Sequence, residues 1–195
     1  MSIQRIVTVV LLLLFTLLPG GCASKRGIEV TYHDPNMDFG QIQTIAVLPF
    51  SNLSGNRNGG EAVREVFMTM MQATGAAYVL PPGEIGRGVS RLSLKAPESP
   101  TADEVVQFAK IVGADVVVTG TVLEYGELRS GGSAANVVSI GLRMLEAQTG
   151  KVVWSASASE GGVSASDRFF GGGGRPMDEI TREVVGQLLD HLFEP

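Results

Sequence analysis

Scarcity organises this sequence. Among 195 residues there is one cysteine, one tryptophan and two histidines. A single thiol excludes an intramolecular disulfide, cysteine-ligated zinc and CxxC redox chemistry. His33 and His191 have no histidine at i+4 and no local carboxylate pattern, so neither reads as a metal ligand. Positive charge is short as well. The 15 Lys and Arg are outnumbered by 20 Asp and Glu, for a net charge of −5. That excludes the basic footprint which nucleic-acid phosphates demand. No serine sits in G-x-S-x-G, and no G-x-G-x-x-G or P-loop occurs. The acids are scattered: Asp34 near Asp38 and Glu124 near Glu127 have no adjacent base or metal cluster. The expectation is a protein that is not an enzyme and carries no cofactor and no metal.

Long apolar runs are missing too, except at the start. Residues 1–21 read as a lipoprotein signal peptide, with Arg5 in a positive n-region and an apolar stretch from Ile6 to Leu18. That stretch is too short to cross a bilayer, which takes about 20 residues. Pro19-Gly20-Gly21 then breaks any helix and supplies small residues for cleavage. Gly21-Cys22 resembles the bacterial lipobox, although Pro19 stands where Leu or Val is commoner. The resemblance implies lipidation of Cys22 by acyl chains such as palmitate. Each buried CH₂ adds about 0.8 kcal/mol, so several chains on one residue hold a protein firmly to a membrane. Ala23, rather than Asp, implies sorting to the outer membrane, facing the periplasm. Residues 22–40 form a lipidated tether and a first strand within 27–35, ended by Asp34-Pro35.

What remains is rich in 25 glycines and 9 prolines, hence in turns. TIAVLPF (44–50) reads as a buried strand and SNLSGNRNGG (51–60) as a loop of turn formers. From Glu61 the period becomes helical, with Val63, Val66, Phe67, Met70 and Met71 on one face and a stop at Gly75. The methionines of this helix suit a partner groove or a core, and a core is expected. A strand over 76–80 and a short helix from Pro82 to about Ser93 follow, the latter weakened by Gly86 and Gly88. Thr101-Ala-Asp-Glu104 predicts a capping box before an apolar stripe that ends at Gly113. Residues 114–128 are β-rich. The segment 137–159 alternates, turns at Gln148-Thr149-Gly150 and alternates again, which predicts a hairpin with one apolar and one polar face. The glycine run 171–174 reads as a flexible connection, since Asp178 and Glu179 would repel an anion at the helix behind it. That last helix buries Met177, Ile180, Val184, Leu188 and Leu192. The fold class is α/β, a single three-layer-like sandwich in which a mixed sheet carries helices.

Three segments, TIAVLPFSNLSG (44–55), GADVVVTGTVLEY (113–125) and VSIGLRMLEAQTGKVVWSASAS (138–159), are similar in order and spacing to the CsgG-like group of bacterial periplasmic lipoproteins. That group includes a secretion-channel subunit and lipoprotein activators of penicillin-binding proteins. The resemblance implies that residues 41–195 form a domain like the N-terminal domain of TolB, with Phe50 and Asn52 marking the loop after a central strand. The channel-forming member inserts two long β-hairpins into the membrane. Here the corresponding connections, Leu128–Val137 and Glu160–Arg175, are too short or too polar for that. The expectation is an outer-membrane-anchored envelope interaction or assembly factor, a secretion accessory or a regulator of cell-wall synthesis, and not a pore by itself. The alternative is a periplasmic lipoprotein that binds a small molecule or glycan. Expected partners are the membrane, through acyl chains at Cys22, and an envelope protein; a homo-oligomer stays open. Phe50, Asn52 and the glycine-flanked pair Phe169-Phe170 are the candidate partner contacts, unless the loop folds back and buries that pair.

Overall fold

The computed structural model describes residues 28–130, 133–162 and 174–193. Cys22, Phe169 and Phe170, three of the candidate site residues, lie outside them. The chain runs β1 (Ile28–His33), a single 3₁₀ turn (Phe39–Gln41), β2 (Thr44–Val47), β3 (Ser51–Asn52), α1 (Gly59–Thr74) and β4 (Tyr78–Val79). It continues with α2 (Pro82–Leu92), α3 (Ala102–Val112), β5 (Val116–Ser130), β6 (Ser133–Glu146), β7 (Val152–Gly161) and α4 (Met177–Phe193). One mixed seven-stranded sheet has the order β1-β7-β6-β5-β2-β4, with β3 also on β5. Strands β2, β3 and β4 pair in parallel, whereas β5, β6, β7 and β1 pair antiparallel. The helices pack on both faces, so the mixed α/β architecture expected from the sequence is the one observed.

Two cores follow from the pleat, because alternate residues of a strand face opposite ways. Ile45 and Val47 of β2 and Val116, Val118 and Val122 of β5 face α1 and α4, where they meet Phe67, Met71, Val184 and Leu188. Ala46, Leu48 and Val117 face α2 and α3, where they meet Ile85, Val105 and Phe108. Met68 and Met71 are buried, so this methionine cluster is core, as expected.

Local chemistry sets the helix ends. Thr101 and Glu104 form the reciprocal capping box, and hydrogen bonds from Thr101 hold the Glu104 carboxyl below its usual range. Gly75 and Gly113 end α1 and α3 at φ of 67° and 72°, a left-handed conformation that favours glycine.

The segment 51–60 is not wholly a loop. Leu48 N–H donates to Val118 O, and Leu53 N–H to Val122 O, at 3.0 and 2.8 Å. Residues 44–53 therefore track one edge of β5, and the track breaks where Pro49 has no N–H to give. The connection Leu128–Val137 is likewise not a free loop. β5 and β6 stay paired out to Ser130 and Ser133 as a two-stranded ribbon.

Helix α2 supplies a paired prediction. A Cβ at Gly88 would stand 2.5 Å from Val112 Cγ1 and 2.8 Å from Phe108 Cε2, whereas a Cβ at Gly86 would meet nothing. Gly→Ala in a helix gains about 0.5–1 kcal/mol. Overpacking a core contact costs about 1–3 kcal/mol. Gly86→Ala is therefore expected to raise the urea midpoint and Gly88→Ala to lower it. Equal shifts of the same sign would refute this account of the α2–α3 contact.

Candidate functional site

The helices leave part of one sheet face open. Helices α2 and α3 cover the β2 side, but the polar positions of β5, β6 and β7 have no described helix above them. Their register builds rows across the sheet. Tyr32, Ser155, Arg143 and Thr119 form one row, and Ser157, Gly141, Thr121 and Ser51 form the next. Apart from Tyr32, these rows floor a groove of about 440 Å³, walled on one side by Glu98, Ser99 and Pro100. This is the polar face that the alternation in 137–159 predicts.

Arg143 is the charge at its centre. It is exposed, and its guanidinium makes no ion pair or hydrogen bond with any described residue. By contrast, Arg175 is engaged by Glu160, Glu179 and Glu183, and the hydrogen bond to Glu183 is the main cause that raises its pKa. Gly141 keeps the groove floor low, and no packing contact demands it, because a Cβ there would meet nothing. The site thus offers hydroxyls, accessible backbone and one unspent guanidinium with five donors in a planar fork.

The structure separates the two candidate contacts that it describes. Phe50 is 6% exposed, its ring lies 6.2 Å from that of Phe67, and a Cβ at Gly120 would stand 2.8 Å from it. It packs in the core, and its side chain is not presented to a partner. Asn52 is half-buried and works inward. Its Nδ2 donates to Asn56 O and Arg57 O, while its Oδ1 accepts from the Ser54 N–H and hydroxyl. It braces the turn 53–58 rather than offering free donors to a ligand. Arg143 was reachable from sequence as the charge in an alternating strand and as the arginine that the family resemblance places ahead of the Thr149-Gly150 turn, but its open surroundings depend on helices distant in the chain.

A second cavity, of about 350 Å³, is apolar and lies at the opposite side of the sheet, lined by His33, Phe39, Ile42, Met71 and Leu192 among others. His33 stacks edge-on to Phe39 and Trp154. The His33 Nε2 and Trp154 Nε1 atoms are buried without a hydrogen-bond partner among the described residues. Among the described residues no three His, Cys, Asp or Glu side chains gather as a metal-binding group, and no helix is long and apolar enough to cross a membrane.

Comparison with known proteins places this geometry. The PelC dodecamer from Paraburkholderia phytofirmans matches with a TM-score of 0.55 at 16% identity, over 82% of this chain and 94% of that one. Lipoprotein GNA1162 from Neisseria meningitidis matches with a TM-score of 0.56 at 21% identity, over 78% of this chain and 99% of that one. The LpoB C-terminal domain from Salmonella enterica matches with a TM-score of 0.50 at 16% identity, over 65% and 87%. At these identities the likeness is one of fold. No curated protein matches. The CsgG-like label drawn from the three segments is not supported, and the fold likeness to LpoB fits the other part of that resemblance. The GNA1162-like family model spans residues 36–192, nearly every described element but β1, and the chain belongs to that lipoprotein family.

Proposed function

We propose that this protein is held by acyl chains on Cys22 at the periplasmic face of the outer membrane, and that it acts there by contact with another envelope protein. The role is that of an interaction or assembly factor, a secretion accessory or a regulator of cell-wall synthesis, and neither an enzyme nor a pore by itself. One observation carries this reading: the hydroxyl-lined sheet face, covered by no described helix, with Arg143 unpaired by any described side chain. The hydroxyls there have no described histidine beside them, since His33 lies in the apolar cavity and His191 near the end of α4. This supports contact over nucleophilic chemistry, which needs a base within hydrogen-bond reach. Membership of a lipoprotein family supports the anchor.

The test combines the anchor with the face. Cys22→Ser is expected to move the protein from the membrane pellet to the soluble fraction. A photo-crosslinker at Ser157, in the native host, is expected to trap one envelope protein, and Arg143→Glu to weaken that product at least about tenfold, the loss of a desolvated charged contact. A serine variant that stays in the pellet sinks the anchor. A face that traps nothing sinks the contact role.

One observation favours a second reading, glycan binding. A concave groove lined by hydroxyls around a single guanidinium suits a carboxylate-bearing sugar. Saturable heat on titration with a uronic-acid oligosaccharide, lost in Arg143→Ala, would select that reading instead.

A further inference from the structure

A different part of the sheet is unfinished. β3 pairs with β5 through Ser51↔Thr121 and Asn52↔Val122 only, and the chain then turns away towards α1. β5 runs on to Ser130 with β6 on one side and no described strand on the other. An edge of this kind presents a row of main-chain donors and acceptors, ready to pair with another strand. The strand bulges between Val122 and Glu124, at the point where β3 departs.

Three exposed leucines gather at this edge. Leu53 is 67% exposed, Leu123 46% and Leu128 45%, and all three line one open cleft of about 600 Å³. Isolated surface leucines need no explanation, but an apolar cluster beside an unpaired strand edge does. Glu124 also lines the cleft and makes no ion pair with a described residue, whereas Glu127 is paired with Arg129 at 2.7 Å. Charged side chains are a known protection of sheet edges. Protection alone would not place three leucines around the carboxylate.

We propose that this cleft takes an extended strand of a partner protein, bearing lysine or arginine between apolar residues, which adds edge-on to β5 beyond Val122. The open backbone sets the conformation of the partner, the leucines ask for its apolar residues, and Glu124 asks for its positive charge. The turn braced by Asn52 fixes the far wall and holds Leu53 outward. This surface names the chemistry of a partner for the contact role proposed above, and in that sense rests on it. It borders the Arg143 groove at Leu123, which lines both, and it can fail while that groove stands.

The probe is a capped seven-residue peptide of alternating lysine and valine, titrated into the whole chain purified in detergent micelles. Saturable binding below about 1 mM is expected, weak because one short strand meets one edge. Amide shift changes should centre on Leu53 and on residues 123–130. Leu128→Lys and Glu124→Lys should each weaken binding about tenfold, with the far-UV spectrum of the folded protein retained. A peptide N-methylated at alternate residues, which cannot pair along the edge, should not bind. Equal binding of the methylated peptide overturns the proposal, since attraction of charge alone would then suffice. Absence of saturation up to about 5 mM, or shifts centred on the Arg143 groove, overturns it as well. So does self-association that Leu128→Lys abolishes, because the occupant of the edge would then be a second copy of the chain. Failure here with crosslinking at Ser157 intact would leave the contact role standing.

Discussion

Arg64→Leu is expected to destabilise the protein by about 3 kcal/mol, the cost of stranding two buried carbonyls at roughly 1–3 kcal/mol each, less what a buried guanidinium itself costs. The side chain is 5% exposed on α1, on the face that otherwise carries Val63, Phe67 and Met71. Its Nε donates to Val47 O at 3.2 Å and Leu48 O at 3.1 Å, and its Nη2 to Val47 O at 2.9 Å. These carbonyls lie where the strand track breaks ahead of Pro49, so the helix supplies what the ladder does not. Arg64→Lys should recover little, because one ammonium cannot reproduce a planar fork that reaches two acceptors. Glu61→Gln should change stability by no more than about 0.5 kcal/mol, because the Glu61 side chain is 57% exposed and its pair with Arg64 is largely solvated. For a chain of this size 3 kcal/mol lowers Tm by roughly 6–12 °C. A leucine variant that melts within about 2 °C of the parent would show that the carbonyls find other partners.

The same arginine shows which features the sequence could not reveal. A charged residue beside an apolar stripe reads as the solvent boundary of the helix; its burial depends on a strand break that only the folded sheet creates. The capping box at Thr101, the stops at Gly75 and Gly113 and the alternation in 137–159 were legible, because each is decided by neighbours within a few residues. β3 was not, since Ser51-Asn52 is turn chemistry made into strand by β5, some 70 residues away. The ribbon out to Ser130 and Ser133 was hidden by a polar, glycine-rich sequence that pairing with its own other half holds straight. Of the candidate site, the polar hairpin face was readable and the cleft was not. Leu53, Leu123 and Leu128 share no local pattern. The one available signal was Leu123, an apolar residue directly after Val122 that breaks the strand period where the bulge lies.

Trp154→Ala should cost about 3–5 kcal/mol, the usual range for emptying a large aromatic site in a core. Trp154 is wholly buried near the start of β7, opposite Met144 of β6 on one side and His33 of β1 on the other. Trp154→Phe should behave very differently. It gives up part of the ring volume, but it also removes an indole Nε1–H that is buried with no partner among the described residues. A desolvated, unpaired donor costs about 1–3 kcal/mol, close to the packing lost, so the net change should stay within about 1 kcal/mol. Chemical denaturation of the two variants side by side separates these terms. A phenylalanine variant as unstable as the alanine one would mean that the indole nitrogen is hydrogen-bonded in solution. The alanine variant should also reach the other side of the sheet. Ser155 and Ser157 flank Trp154 and Ala156 on β7 and face the Arg143 groove, so a strand loosened from below cannot hold its hydroxyls in register above. Crosslinking from Ser157 should therefore fall in Trp154→Ala at temperatures where the protein is still mostly folded, and persist in Trp154→Phe.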